Sequence, residues 1–256
     1  MSLSRFGGPL GVTFGALAAA AACGSTALTD ATDTTTASTS TALPAAFAHY
    51  GSMVQVSVEG DQVVLRANGV PDHKSPYFEP TDPRFEAYDG PNPRYMRAPG
   101  STIVEQRFVF RIPLHPKVAT AHAPTPLGPI GIAVNGVPLF NQYNGQNRPL
   151  SGEIDSFDQY NGHPAPTGEY HYHAEPLWLT RNNGSSALVG FLLDGFPVYG
   201  PVENGRRVTN VDLDVLHGHT GATADYPGGI YHYHITDADP YINGAGFAGT
   251  AGTVAR

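Results

Sequence analysis

Between Met53 and Leu65 the chain alternates apolar and polar positions: Val54, Val56 and Val58, then Glu59-Gly60-Asp61, then Val63, Val64 and Leu65. A period of two puts every second side chain on one face of a strand, so this segment predicts strand, turn, strand, with Asn68-Gly69 closing the far end of the hairpin. Ile103 to Ile112 repeats the signal, with Val104, Gln106, Phe108 and Phe110 alternating against Glu105, Arg107 and Arg111. The alternation is sharpest in two copies of Tyr-His-Tyr-His, at 170–173 and 231–234. Strand geometry sorts His171 and His173 onto one face and Tyr170 and Tyr172 onto the other, and it separates His232 and His234 from Tyr231 and Tyr233 likewise. Imidazoles at i and i+2 stand roughly 6.5–7 Å apart at Cα, close enough for both rings to reach one metal ion.

The two copies end a longer repeat. Gly131 to Phe140 (GIAVNGVPLF) aligns with Gly190 to Tyr199 (GFLLDGFPVY), where Gly136 with Pro138, and Gly195 with Pro197, predict a turn. Asp158 precedes His163 by five residues, as Asp214 precedes His219, and each copy then runs into its Tyr-His-Tyr-His strand. Two copies of about sixty residues suit a duplicated half-domain about a pseudo-twofold better than a solenoid. The expected fold is mostly β: a loop-rich, β-sandwich-like single domain duplicated over about 131–173 and 190–234. Such a twofold is expected to bring both strands and their four histidines to one axis.

Composition narrows the class. Thirty glycines and 23 prolines favour short strands and many turns over long helices, and a net charge of −8 with no Lys/Arg cluster argues against nucleic acid as partner. Residues 1–23 read as an export signal, with Arg5 before the apolar run Gly11 to Ala22. Cys23, the only cysteine, follows three alanines where a bacterial lipoprotein is cleaved and lipidated. That predicts an exported protein of the cell envelope held to the membrane through Cys23; a plain secretory signal is the other reading. Residues 24–48, rich in Thr, Ser and Ala, predict a flexible tether, 49–244 the folded domain and 245–256 a flexible tail. The proline-rich stretch from Pro71 to Pro99 is either an ordered loop or a mobile flap.

The candidate chemistry is metal binding. His163, His171, His173, His219, His232 and His234 form the ligand pool, with Asp158 and Asp214 as further ligands or as partners that orient imidazoles, and with Asp194 beside them. Imidazole and carboxylate without thiolate suit a transition metal, copper first and then zinc or iron. Asp194 stands where the first half has Asn135, and this break in symmetry makes it the best general-base candidate if the protein is an enzyme. His73 is placed to cap the site from a loop, and His217 is a lesser candidate. His49, His115 and His122 read as surface residues. No GxSxG elbow and no dinucleotide fingerprint occurs.

NGVPDH, the GIAVNGVP and DGFPVYGP turns, GEYHYH and YPGGIYHYH together resemble the YHYH-domain family of exported proteins over roughly residues 50–240. The resemblance implies that the repeated histidines define the domain and does not name a metal. Family members often carry a cysteine near the Asp158 segment, where this chain has Tyr160. Three functions are open at this point. One is a metal-binding protein for capture, storage or delivery, another a metal-dependent oxidoreductase or hydrolase, and the third a glycan- or protein-binding module with structural histidines.

Overall fold

The structure is a computed structural model that describes residues 42–98 and 100–256. The export signal, Cys23 and the linker up to residue 41 lie outside these residues. In the order of the chain, β1 (Val54–Glu59), β2 (Gln62–Ala67) and β3 (Phe108–Pro113) come first. The first repeat supplies β4 (Pro129–Ala133), β5 (Pro138–Phe140), β6 (Gly162–Pro164) and β7 (Tyr170–Tyr172), followed by the helix α1 (Leu177–Asn183). The second supplies β8 (Leu188–Leu192), β9 (Pro197–Tyr199), β10 (Val202–Glu203), β11 (Arg206–Arg207), β12 (Gly218–Gly221) and β13 (Ile230–His234), and β14 (Thr253–Ala255) ends the chain.

Eight of these strands form one sheet in the order β12-β13-β9-β8-β4-β5-β7-β6. Read from either edge, the order of repeat elements is the same, so the duplication is built into the sheet. The twofold passes between β4 and β8, whose antiparallel register sets Ile132 opposite Phe191, with Gly131 opposite Leu192 and Ala133 opposite Gly190. A side chain at Gly131 or Gly190 would run into the facing backbone, at 2.5 Å from the Phe191 carbonyl or 2.2 Å from the Ile132 carbonyl. The repeated glycine that opens each copy therefore keeps the central pair close.

A second sheet, β1-β2-β3-β14, shares one hydrophobic core with the first, joining Val63, Leu65, Phe108, Phe110 and Ile112 to Ile130, Ile132 and Phe191. The β-sandwich-like reading holds. The two repeat turns do so in part: Gly136 and Gly195 take left-handed φ of 84° and 82° at the hairpin tips, while Pro138 and Pro197 open the strands that follow. The expected strand from Ile103 begins only at Phe108. The preceding residues bond outward instead, Val104 N–H to the Gly168 carbonyl and Gln106 N–H to that of Asn68. The 71–98 loop is packed, with Tyr77 and Phe78 buried and Met96 N–H donating to the Asp155 carbonyl.

Both expected domain boundaries move outward. Ala45–His49 forms a 3-10 turn whose Phe47 stacks on Phe191 at 4.2 Å, so the end of the linker belongs to the core. The tail expected to be flexible is part of the fold: Phe247 is buried, β14 pairs with β3, and Gly249 N–H reaches the Asp194 carboxylate. Low sequence complexity hid one buried aromatic and a set of backbone bonds. Replacing Phe247 by alanine is expected to cost about 3–5 kcal/mol in urea unfolding, the range for emptying a buried phenylalanine site.

Candidate metal centres

Each Tyr-His-Tyr-His segment lies on a strand with its tyrosines in the core and its imidazoles on the other face. β6 runs antiparallel to β7 and sets His163 directly opposite His171, while β12 sets His219 opposite His232. A cross-strand pair plus the residue two further on, His173 or His234, makes a triangle of three rings on one face. In the first half His171 Nε2 lies 3.0 Å from His163 Nε2 and 2.9 Å from His173 Nε2. In the second, His219 Nε2 and His232 Nε2 are 3.0 Å apart.

A carboxylate completes each triangle. Glu153 Oε1 is 3.4 Å from His163 Nε2. Glu203 Oε1 is 3.4 Å from both His219 Nε2 and His232 Nε2, and 3.9 Å from His234 Nε2. The ligand atoms of Glu153, His163, His171 and His173 all lie within 4.8 Å of one another, as do those of Glu203, His219, His232 and His234. Adjacent ligands of an ion at ~2.0–2.1 Å from each donor sit roughly 3 Å apart.

Hydrogen bonds fix which nitrogens face inward. His171 Nδ1–H donates to the Glu169 carbonyl and His232 Nδ1–H to that of Ile230, each two residues back. His173 Nδ1–H donates to the Asn141 carbonyl and His234 Nδ1–H to that of Gly200, which are equivalent repeat positions. The Ser156 hydroxyl gives its proton to the Glu153 carbonyl, so its oxygen accepts from His163 Nδ1–H. Carbonyls only accept, hence these rings carry their proton on Nδ1 and turn a lone pair at Nε2 toward the centre. Burial pushes the His163 imidazole down to about 3 and those of His173 and His234 to about 4, and it lowers His171 and His232 too. The rings are neutral, in the form that binds metal. His234 Nε2 is buried without a hydrogen-bond partner among the described residues.

The six histidines of the ligand pool are all gathered, though into two centres and not at one axis. β7 and β13 are separated by β5, β4, β8 and β9, five strand spacings or roughly 24 Å. A twofold through the middle of the sheet drives its outer strands apart, so the expected convergence at one axis does not occur.

Asp158 and Asp214 are in neither centre. Asp158 Oδ2 accepts from Ser75 at 2.6 Å and from Tyr170 OH at 2.8 Å, while Asp214 accepts from Tyr231 OH at 3.0 Å. Each also takes the backbone N–H groups of its own turn, among them Gly162 N–H and Gly218 N–H. These aspartates position the tyrosine side of the strand, so the interval DxxxxH builds a turn and does not supply a ligand. Asp194 is fully buried and accepts from Phe196 N–H, Tyr233 OH and Gly249 N–H, which occupies it as a structural acceptor and not as a base facing a cleft.

His73 does not cap a centre either. Its Nδ1–H donates to the Lys74 carbonyl and its Nε2 accepts from Tyr172 OH, on the tyrosine side. His217 is buried against Thr236, His122 bonds the Phe247 carbonyl, and His49 bonds Asp225 at 2.7 Å in the wall above the second centre. Glu153 and Glu203 escape sequence reading because they do not align: one lies between 3-10 turns and the other in the β10 strand. The usable signal is looser, an acid somewhere between the aromatic that ends β5 or β9 and the following aspartate-histidine interval.

A β-rich domain with two symmetry-related clusters of three histidines and a glutamate, suited to hold metal ions, is the class this geometry defines. Within it the model of the YHYH protein family matches residues 109–206 and 202–246, more than half of the chain, and the chain belongs to that family. No curated protein and no solved structure matches it.

Proposed function

We propose that this protein binds two transition-metal ions, one in each histidine-glutamate centre, and serves in their capture, storage or delivery at the cell envelope. The observation that carries the reading is the meeting of imidazole Nε2 atoms at 2.9–3.0 Å in both halves. With the proton drawn to Nδ1 by a carbonyl or hydroxyl acceptor in His163, His171, His173, His232 and His234, facing lone pairs repel unless a cation lies between them. Three imidazoles and one carboxylate without sulfur favour copper, then zinc or iron. Convergence of this kind sets the metal readings apart from a module with structural histidines.

A metal-dependent enzyme is the second reading, favoured by the clefts above the centres, of ≈ 300 Å³ over the first and ≈ 540 Å³ over the second. Elemental analysis of the full chain purified without chelator is expected to find two ions per chain; metal-free protein that also takes up none from copper or zinc salts would sink both readings. Lipidation of Cys23 is part of the proposal, supported by the sequence alone. Incorporation of a labelled fatty acid by the native protein, absent in Cys23→Ser, is the expected result.

A further inference from the structure

The two centres match in ligands and differ in what covers them. In the first, His163, His171 and His173 are all buried, and aromatic rings clamp them: Phe140 stacks on His171 at 3.9 Å, and Phe157 lies 4.9 Å from His163 and 5.8 Å from His173. Glu153 is the only charged group among the residues lining the small cleft there. In the second, the side chain of His219 is 30% exposed. No counterpart of the Ser156 bond to His163 is seen at His219 among the described residues.

Position 140 is phenylalanine and its mate at 199 is tyrosine, so the second centre has a hydroxyl where the first has a bare ring. Tyr199 OH donates to Asp225 Oδ2 at 3.0 Å and shares a hydrogen bond of 2.8 Å with Thr223, and Asp225 Oδ1 meets His49 Nε2. Tyr199, Thr223, Asp225 and His49 all line the ≈ 540 Å³ cleft whose floor holds Glu203, His232 and His234, and no Lys or Arg lines it. A walled space with two carboxylates and no fixed positive charge concentrates cations. At its floor lies His234 Nε2, buried and without a hydrogen-bond partner among the described residues.

We infer that the second centre is the exchange site, through which a hydrated divalent cation enters and leaves past Asp225 and Tyr199, while the first centre retains its ion. The inference rests on the two-metal reading and adds a division of labour to it. It assigns Asp225 to metal entry as a group on the path and not as a permanent ligand.

The test uses the full chain loaded with Zn(II) and challenged with excess of a chromophoric chelator, with release followed by absorbance. Two phases of equal amplitude are expected, one ion per chain in each. His219→Ala, a change at a partly exposed position, is expected to lose the fast phase and keep the slow one. Asp225→Asn is expected to slow Zn(II) uptake at the second centre on the order of tenfold at low ionic strength. That difference should shrink in 1 M salt, where charges are screened beyond about 3 Å. Release of both ions in one phase, a fast phase that survives His219→Ala, or uptake indifferent to Asp225→Asn would each overturn the assignment. Failure to load any Zn(II) or copper would instead overturn the two-metal reading on which it stands.

Discussion

Alanine at His171 is expected to reduce bound metal from two ions per chain to one, and alanine at His232 to do the same in the other half. His171 Nε2 is the apex of its triangle, within 3.0 Å of both other imidazoles, and His232 faces His219 in the equivalent pair. Loss of an outer partner of a metal ligand costs 10–100-fold in affinity, so loss of a ligand itself is expected to weaken its centre by more than about 100-fold. The other centre lies roughly 24 Å away across the sheet, well past the distance at which substitutions couple. Its affinity is expected to stay as it was. The double variant His171→Ala with His232→Ala should hold none. Elemental analysis after dialysis, with circular dichroism to verify folding, reads all three proteins. If the single variant loses both ions, the histidines form one shared site and the two-centre geometry is wrong. The single-axis arrangement suggested by the repeat makes that opposite forecast, which is why this measurement separates the two.

What the sequence made legible follows from which interactions are local. Alternation over 170–173 and 231–234 is a property of neighbouring residues, and it placed the imidazoles and tyrosines on opposite faces correctly. The glycine turns at 136 and 195 were legible for the same reason, since a left-handed φ selects its residue. Where the repeats sit in the sheet is not local. It depends on Gly131 and Gly190 packing against the facing backbone of β8 and β4, and that contact put the twofold at the centre of the sheet and split the histidines into two groups.

Glu153 and Glu203 were illegible because one half brings its acid to the centre from between 3-10 turns and the other from a strand, so no alignment pairs them. The three aspartates could not be told from ligands in the sequence, because spacing does not separate a turn acceptor from a ligand. Asp158 and Asp214 each bond a tyrosine hydroxyl and two backbone N–H groups. That ties Asp158, buried, and Asp214, exposed, to the tyrosine side, while the histidines line the candidate centres.

Asp194→Asn is expected to destabilise the fold by about 2–4 kcal/mol although Asn135 occupies the same repeat position, because one or two buried donors lose their acceptor. The reason is the direction of hydrogen bonding around the partner tyrosine. In the second half Tyr233 OH accepts from Ala248 N–H and spends its proton on Asp194 Oδ2, which also accepts from Gly249 N–H. An amide nitrogen in place of Oδ2 would point its hydrogens at both donors. In the first half Tyr172 OH gives its proton to His73 Nε2 and therefore accepts from Asn135 Nδ2, which also donates to Asp72. Asn135→Asp would set two carboxylates against each other where the amide now bridges Asp72 and Tyr172, and is expected to be destabilising as well. Urea unfolding of the two variants checks both. If Asp194 acted as a general base and not as an acceptor, Asp194→Asn would instead fold with near-native stability. The asymmetry that looked catalytic in the sequence thus reflects what packs on each tyrosine: the returning C-terminal segment on one side, and the His73 loop on the other.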